Sequence, residues 1–301
     1  MNLRQLNCFL TVCRTGSISQ SAGILHLSQP ALTRQIQALE SEFGTQFFER
    51  RNRRIFLTAE GRAFEAYARD TLTHAQKIRE TLNGFKTELD GSVTVGCVES
   101  SASDVLGEFA ADWLARFPNV RLNIFTSDGD TLRRELDDGR LDAALVIEPI
   151  EIIKYETLPF GKAERWGIVV RENSPLADRD SVSADDLRNM PVMLPLRPLA
   201  QSQLLVHLGL SESSVQYRAA GNLLTNLLPI LKAFGGGALC IERSFTMRPV
   251  KGLTFIPVHP VYTSRHSLIR VRRRGLSPVA ERFWTDFETF AASITDADDP
   301  N

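Results

Sequence analysis

The chain is expected to be an α/β protein in which a winged helix-turn-helix and a long helix precede a larger α/β domain. Three observations predict this. Two short helical segments meet at a tight break near His26-Leu27, ahead of an arginine-rich hairpin. A heptad-spaced apolar seam follows from Phe64 to Leu89. From Ser92 onward, strand-like and helix-like segments alternate to the end. A length of 301 residues suits about two domains.

Leu3, Leu6, Phe9, Leu10 and Cys13 recur at helical spacing, and Gly16 is a fitting C-cap. Ser17-Ile18-Ser19-Gln20 has the form of a capping box opening a second helix, with Ile18, Ala22 and Leu25 inside. Ser28 is an N-cap and Pro30 falls in the first turn of a third helix reaching about Phe43. Its inner face is Ala31, Leu32, Ile36, Leu39 and Phe43. Its outer face is Gln29, Thr33, Arg34, Gln37 and Glu40. Phe47–Arg50 and Ile55–Leu57 read as two strands around a basic tip, Arg51-Asn52-Arg53-Arg54.

Thr58 caps a long helix with Glu60 in its first turn. Phe64, Ala68, Thr71, Ala75, Ile78, Leu82, Phe85 and Leu89 step alternately by four and three, which favours a partner helix and hence a homodimer. Asp90-Gly91 ends it.

Strands are then expected at Val93–Gly96, Val120–Phe125, Leu141–Ile147, Tyr155–Phe160, Trp166–Val170, Val192–Leu194, Ser214–Arg218, Ala238–Ile241, Leu253–Val258 and Leu268–Arg272. Helices are expected at Ser101–Phe117, Thr131–Asp138, Gln201–Leu208, Leu223–Phe234 and Ser277–Ile294. The alternation predicts mostly parallel sheets.

Composition is that of an ordinary globular protein, 43% hydrophobic and 24% charged, with no apolar run of membrane-spanning length. The N-terminus lacks the apolar core of a secretory signal, so a cytoplasmic location is expected. Net charge is −1, but residues 1–65 carry eight arginines and five glutamates, a net of +3 on an otherwise acidic chain. Such an asymmetry suits an end that meets phosphates. Cys8, Cys13, Cys97 and Cys240 form no Cys-x-x-Cys pair, and the five histidines show no metal-ligand spacing. No phosphate loop and no Gly-x-Ser-x-Gly elbow is present, so no catalytic motif supports an enzyme. A solute-binding protein would need an export signal, and a thiol redox sensor would need cations beside Cys97 or Cys240; only Arg243 neighbours Cys240.

Asn2-Leu3-Arg4-Gln5-Leu6, Gly16-Ser17, the run from Leu27 to Ile36, Leu39-Glu40, Phe47-Phe48-Glu49-Arg50 and Leu57-Thr58-Ala59-Glu60-Gly61 together resemble the LysR-type transcriptional regulators. Leu141-Asp142-Ala143-Ala144 and Gly235-Gly236-Gly237-Ala238-Leu239 fit more loosely. The resemblance implies a DNA-binding domain over 1–58, a dimerisation helix over 59–90 and, over 91–301, an effector domain resembling periplasmic binding proteins. Lobe I is expected at about 91–161 and 266–294, and lobe II at about 162–265.

The resemblance also sets the third helix in the major groove of promoter DNA. Arg34 can then bond guanine, Gln29 can pair with adenine, and Pro30 and the Thr33 methyl can meet thymine methyls; Gln37 lies on the same face. Ser28 suits phosphate, and Arg53 and Arg54 suit the backbone or minor groove. In the effector domain the resemblance implies a ligand cleft. Ser100 and Ser101, at a helix head, can hold a ligand carboxylate. Ile147 and Glu148 lie on the same lobe, with Arg197, Pro198, Asn222 and Leu223 across from them. Glu99 departs from the family's usual small residue. It is expected to face solvent; facing the cleft, it would favour an amine or hydroxyl ligand, with Arg197 opposing it. The expected partners are double-stranded DNA, a small-molecule effector and further copies of the chain as homodimer and homotetramer, with RNA polymerase a further candidate. No cofactor and no metal is expected.

Overall fold

The computed structural model describes residues 1–51, 54–83, 89–150, 153–272 and 274–296. The side chains of 50, 51, 54, 76, 77, 79–83, 295 and 296 fall outside that description. The chain divides into two units, 1–83 and 84–301.

In the first unit, α1 (Leu3–Thr15), α2 (Ile18–Ile24) and α3 (Gln29–Phe43) are followed by the hairpin β1 (Phe48–Arg51) and β2 (Arg54–Leu57), then by α4 (Ala59–Asn83). Asn2 and Gln5 form a reciprocal capping box on α1, and Gly16 closes it in the left-handed conformation. Ser17 caps α2 by accepting from the Gln20 amide at 3.4 Å. The expected box is only half made, because the Ser17 amide donates to Thr15 Oγ1 instead. His26, at φ 51°, makes the tight break before α3.

Leu6, Phe9, Val12, Leu32, Leu39 and Phe47 form the core of this unit. Phe64 of α4 stacks on Phe47, with ring centroids 4.3 Å apart, and meets Phe9 edge-on. One inner-face and one outer-face assignment change here. Phe43 is 48% exposed, because α3 ends at Gly44 and leaves its last turn over the rim of the core. Glu40, read as an outer residue, accepts from the amides of Phe47 and Phe48 and anchors the start of the hairpin.

The long helix departs from a uniform seam. Phe64, Ala68 and Leu72 pack on the unit's own core, so the first turns of α4 obey a 4,4 spacing rather than a heptad. On its other faces Thr71 is exposed, Tyr67 is 72% exposed, and further along Ile78 is 61% exposed. Leu82's side chain and Phe85 lie outside the described residues, and Leu89 packs into the core of the second unit instead. Gly61 lets the first turn of α4 press against the hairpin: a Cβ there would sit 2.1 Å from the Phe47 carbonyl oxygen.

The second unit follows the expected alternation. Its elements are β3 (Gly91–Cys97), α5 (Ser101–Arg116), β4 (Val120–Thr126), α6 (Gly129–Asp137), β5 (Ala143–Ile147), β6 (Tyr155–Arg171), α7 (Ala184–Arg188), β7 (Pro191–Pro195), α8 (Pro198–His207), β8 (Gln216–Gly221), α9 (Leu227–Phe234), β9 (Gly237–Ile241), α10 (Glu242–Thr246), β10 (Leu253–Pro257), β11 (Thr263–Val271) and α11 (Pro278–Asp296). The short α7 and α10 escape a reading based on apolar period, since each is five residues long. Leu224–Asn226 is a 3-10 turn ahead of α9.

The strand order β4-β3-β5-β11-β6-β9-β7-β8 shows two lobes. Within each, three strands are parallel, β4-β3-β5 in lobe I and β9-β7-β8 in lobe II. The links between them are antiparallel: β11 to β5 and β6, and β6 to β9 and β10. The sheets are therefore mixed rather than mostly parallel. No helix lies between Phe160 and Trp166, so the chain has no crossover there and β6 runs straight from one lobe into the other. The two strands read separately at Tyr155 and Trp166 are one strand of 17 residues.

Val93, Val95, Leu145, Leu268, Trp113, Phe283 and Phe287 form the core of lobe I. Lobe II has a core on each face of its sheet: Ile168, Val192, Leu194 and Leu239 on one, Val169, Met193, Ala238 and Cys240 on the other. Among the described residues, no helix is long and apolar enough to cross a membrane.

Candidate DNA-reading face and inter-lobe cavity

Gln29, Pro30, Thr33, Arg34 and Gln37 line one open groove on α3, as their spacing of one, three, one and three residues requires on a 3.6-residue helix. Thr33 is half-buried and the other four are exposed. The face carries one cation, two amides, a hydroxyl and no carboxylate, an inventory that suits base edges and phosphates. Gln29 is held by its Nε2, which donates to Ser19 Oγ at 3.0 Å, so α2 positions the first side chain of this face. Arg34 Nε reaches the Pro30 carbonyl at 3.4 Å, leaving its terminal nitrogens toward the groove. Ser28 Oγ accepts from the Ala31 amide, so its hydroxyl serves first as the cap. Arg53 lies outside the described residues, and Arg54 stands in β2 with its side chain outside the description.

In the second unit, a cavity of about 100 Å³ lies where the lobes meet. Of the expected ligand residues, Glu99, Ile147, Arg197, Asn222 and Leu223 line it, and Ser100, Ser101, Glu148 and Pro198 do not. Sequence reasoning missed Val98, Asp128, Trp166 and Leu227, which complete much of its wall. The strand-end position of Val98 and the N-cap position of Asp128 were the available signals.

The serines are claimed from within. Ser100, fully buried, caps α5 and its Oγ lies 2.8 Å from His266 Nε2. The Ser101 amide and hydroxyl both donate to Glu164 Oε2, at 3.0 and 2.7 Å. Glu164 Oε1 accepts from the Arg243 amide of lobe II at 2.9 Å. The head of α5 thus already holds a carboxylate, delivered by β6 from inside the chain, and offers Ser101 no free donors for a ligand. Burial pushes the Glu164 carboxyl up, and the bonds from Ser101 and Arg243 pull it partly back. Glu148 is likewise turned away from the cavity, its Oε1 accepting from Ser267 Oγ at 2.7 Å. Pro198 is exposed at the first turn of α8.

Arg197 is only 9% exposed, and three of its nitrogens reach lobe I. NH1 donates to the Ile147 carbonyl at 2.9 Å, NH2 to the Pro149 carbonyl at 2.8 Å and Nε to Asp130 at 3.3 Å. Arg197 thus faces Asp130 rather than Glu99, and burial lowers its pKa from the ordinary value. Asp128 caps α6 and also accepts from Asn222 at 3.4 Å. Burial raises its carboxyl, yet the bonds from Thr131 and Asn222 outweigh burial and hold it below the usual range.

Glu99 does not face solvent. Its side chain is 20% exposed, accepts from Thr225 Oγ1 at 3.2 Å and lies 3.8 Å from Arg248 NH1. Cys240 lines the cavity, and burial raises its thiol; burial also lifts Cys97 to about 11. Both thiols therefore resist forming the reactive thiolate.

These features define a chain with a helix-turn-helix and a two-lobed ligand-binding domain, the class of one-component DNA-binding regulators. Residues 86–291 match the LysR substrate binding domain, and residues 3–62 match the bacterial regulatory helix-turn-helix proteins of the lysR family. The chain belongs to the LysR family of transcriptional regulators. The HTH-type transcriptional regulator YtlI of Bacillus subtilis (strain 168) is 30% identical over 214 residues, spanning 69% of each chain. BudR of Raoultella terrigena, another HTH-type transcriptional regulator, is 27% identical over 287 residues, spanning 94% of this chain and 99% of that one. Full-length CbnR, solved with its target DNA, shares the fold with a TM-score of 0.73 at 21% identity, covering 95% of this chain and 98% of CbnR.

His266 supplies a pH test of the buried cluster. Burial draws its pKa down to about 4, so the folded protein keeps the ring neutral. The unfolded chain exposes a ring of pKa ~6.5 that takes up a proton below that pH. The stability held by His266 is therefore complete above pH ~6.5 and drains as pH falls toward about 4, by up to about 3 kcal/mol. Glu164, raised by burial, works in the opposite sense. Denaturant midpoints of wild type and His266→Asn across this window should show the steeper acid loss in the wild type. Parallel curves would contradict it.

Proposed function

We propose that this regulator reads double-stranded promoter DNA through Gln29, Pro30, Thr33, Arg34 and Gln37, with Ser28 and the wing arginines Arg53 and Arg54 on phosphates. The observation that carries the reading is the open groove along α3, whose five lining residues include a cation and two amides with no acid among them. The working form is a homodimer through α4, associating further into a tetramer, and Tyr67 and Ile78 exposed on that helix support this. The chain works in the cytoplasm as a regulator and not as an enzyme, with RNA polymerase a further partner and no cofactor.

DNA affinity measured against salt tests this on a fragment of the chain's own promoter region. The log–log slope should be steep, roughly −0.9 per phosphate contact. Arg34→Ala should cost about 1–3 kcal/mol and relax the preference at one base pair. A flat salt response, or an unchanged operator preference in Arg34→Ala, would sink the reading.

The inter-lobe cavity is, in this reading, the effector site. Its walls are mainly apolar. Its carboxylates, Glu99 and Asp128, outnumber its cation, and that cation, Arg197, already bonds lobe I. An anion entering would meet two acids and no uncommitted cation, so the effector is a small neutral or cationic molecule whose amine or hydroxyl reaches Glu99. An engineered cavity of about 150 Å³ accepts benzene, so a ligand larger than a few heavy atoms requires the lobes to part. In a thermal-shift screen of the full chain, amines and polyols should stabilise. An effector at 100 times its Kd adds about 2.7 kcal/mol. A screen in which neither amines nor polyols stabilise the chain would contradict the assignment.

A further inference from the structure

A second cavity, of about 270 Å³, lies beside the first, between lobe II and Glu99 of lobe I, and shares Glu99 and Ser244 with it. Its floor is apolar, made by Leu228 and Pro229 of α9 with Met247 and Val250. Its rim carries two cations. Lys232 Nζ donates to the Lys251 carbonyl at 3.1 Å, which leaves two of its three protons for another partner. The Arg248 side chain is 76% exposed and lies 3.8 Å from Glu99, a loose ion pair that solvent already screens.

The polarity is the reverse of the first cavity. There, carboxylates outnumber the cation, which is committed to the opposite lobe. Here two lightly engaged cations stand above an apolar floor, with one carboxylate, Glu99, at the boundary.

We infer that this second cavity is a separate ligand site for a small organic anion, a carboxylate on a short hydrocarbon chain. Its hydrocarbon lies on Leu228, Pro229, Met247 and Val250 while the carboxylate bonds Arg248 and Lys232. Such a ligand competes with Glu99 for Arg248. When it binds, Glu99 keeps Thr225 as a partner and loses its cation, which makes its carboxylate a stronger acceptor toward the first cavity. The two sites are thereby coupled through one side chain. A ligand with an amine in the first cavity and an anion in the second should each tighten the other, as linkage requires. The coupling rests on the effector reading above; the site itself does not.

The experiment uses the full chain carrying methyl-labelled methionine, with hexanoate as the probe. Met247 lines the second cavity, whereas Met193 is buried in the lobe II sheet, so their methyl signals locate the ligand. Hexanoate should shift the Met247 methyl saturably and leave Met193 in place. Arg248→Gln, at an exposed position, should weaken binding by roughly tenfold, the loss expected for one charge-assisted hydrogen bond. Glu99→Gln should tighten it by removing the competitor. A Met247 signal that stays fixed at about 10 mM hexanoate, in the range of very weak binding, overturns the site. So does equal affinity in wild type and Arg248→Gln. Either result stands whatever the first cavity binds.

Discussion

Arg197 decides what the inter-lobe cavity is. A guanidinium cannot shed its proton, so once buried it must find acceptors, and Arg197 finds them on the opposite lobe, at the carbonyls of Ile147 and Pro149 and at Asp130. The lobes are thereby drawn together over a small space, and the residue best placed to bind an anionic ligand is occupied with closing the site. Asn222 on Asp128, Ser244 on the Glu99 carbonyl and Glu164 between Ser101 and the Arg243 amide follow the same pattern. Each polar group expected to greet a ligand has a partner from within the chain.

Glu164 is the clearest case. The head of α5 presents donors that favour a carboxylate, and sequence reasoning assigned that carboxylate to a ligand. The donors were correctly found and their occupant was not, because it comes from β6, 63 residues further along. No local pattern announces that partner. The polar run from Gly161 to Arg165 reads as a gap between two strands, and only its place between the lobes shows why a glutamate stands there.

The first unit was more legible. Caps, the left-handed Gly16, the break at His26 and the face of α3 are all set by neighbours within a few residues, where spacing carries the information. The misreadings have a common cause. Phe43, Glu40 and the first turns of α4 were placed by helical period alone, and period does not say which neighbour a face meets. Phe64 and Ala68 fit a heptad and a domain core equally well, and the core claims them. In the second unit, apolar period found most of the strands and the longer helices. Strand direction was not recoverable, since an alternating strand looks the same either way.

Arg197 holds the lobes closed over the cavity, and hydrogen–deuterium exchange of the full chain reads that clamp amide by amide. Comparing wild type with Arg197→Gln, amides in 127–131 and 145–148, which abut the guanidinium's partners, should exchange faster. The buried strands β3 and β7 should stay protected. Unchanged exchange at both segments would show that the lobes stay together without the arginine, and the account of the cavity would fail.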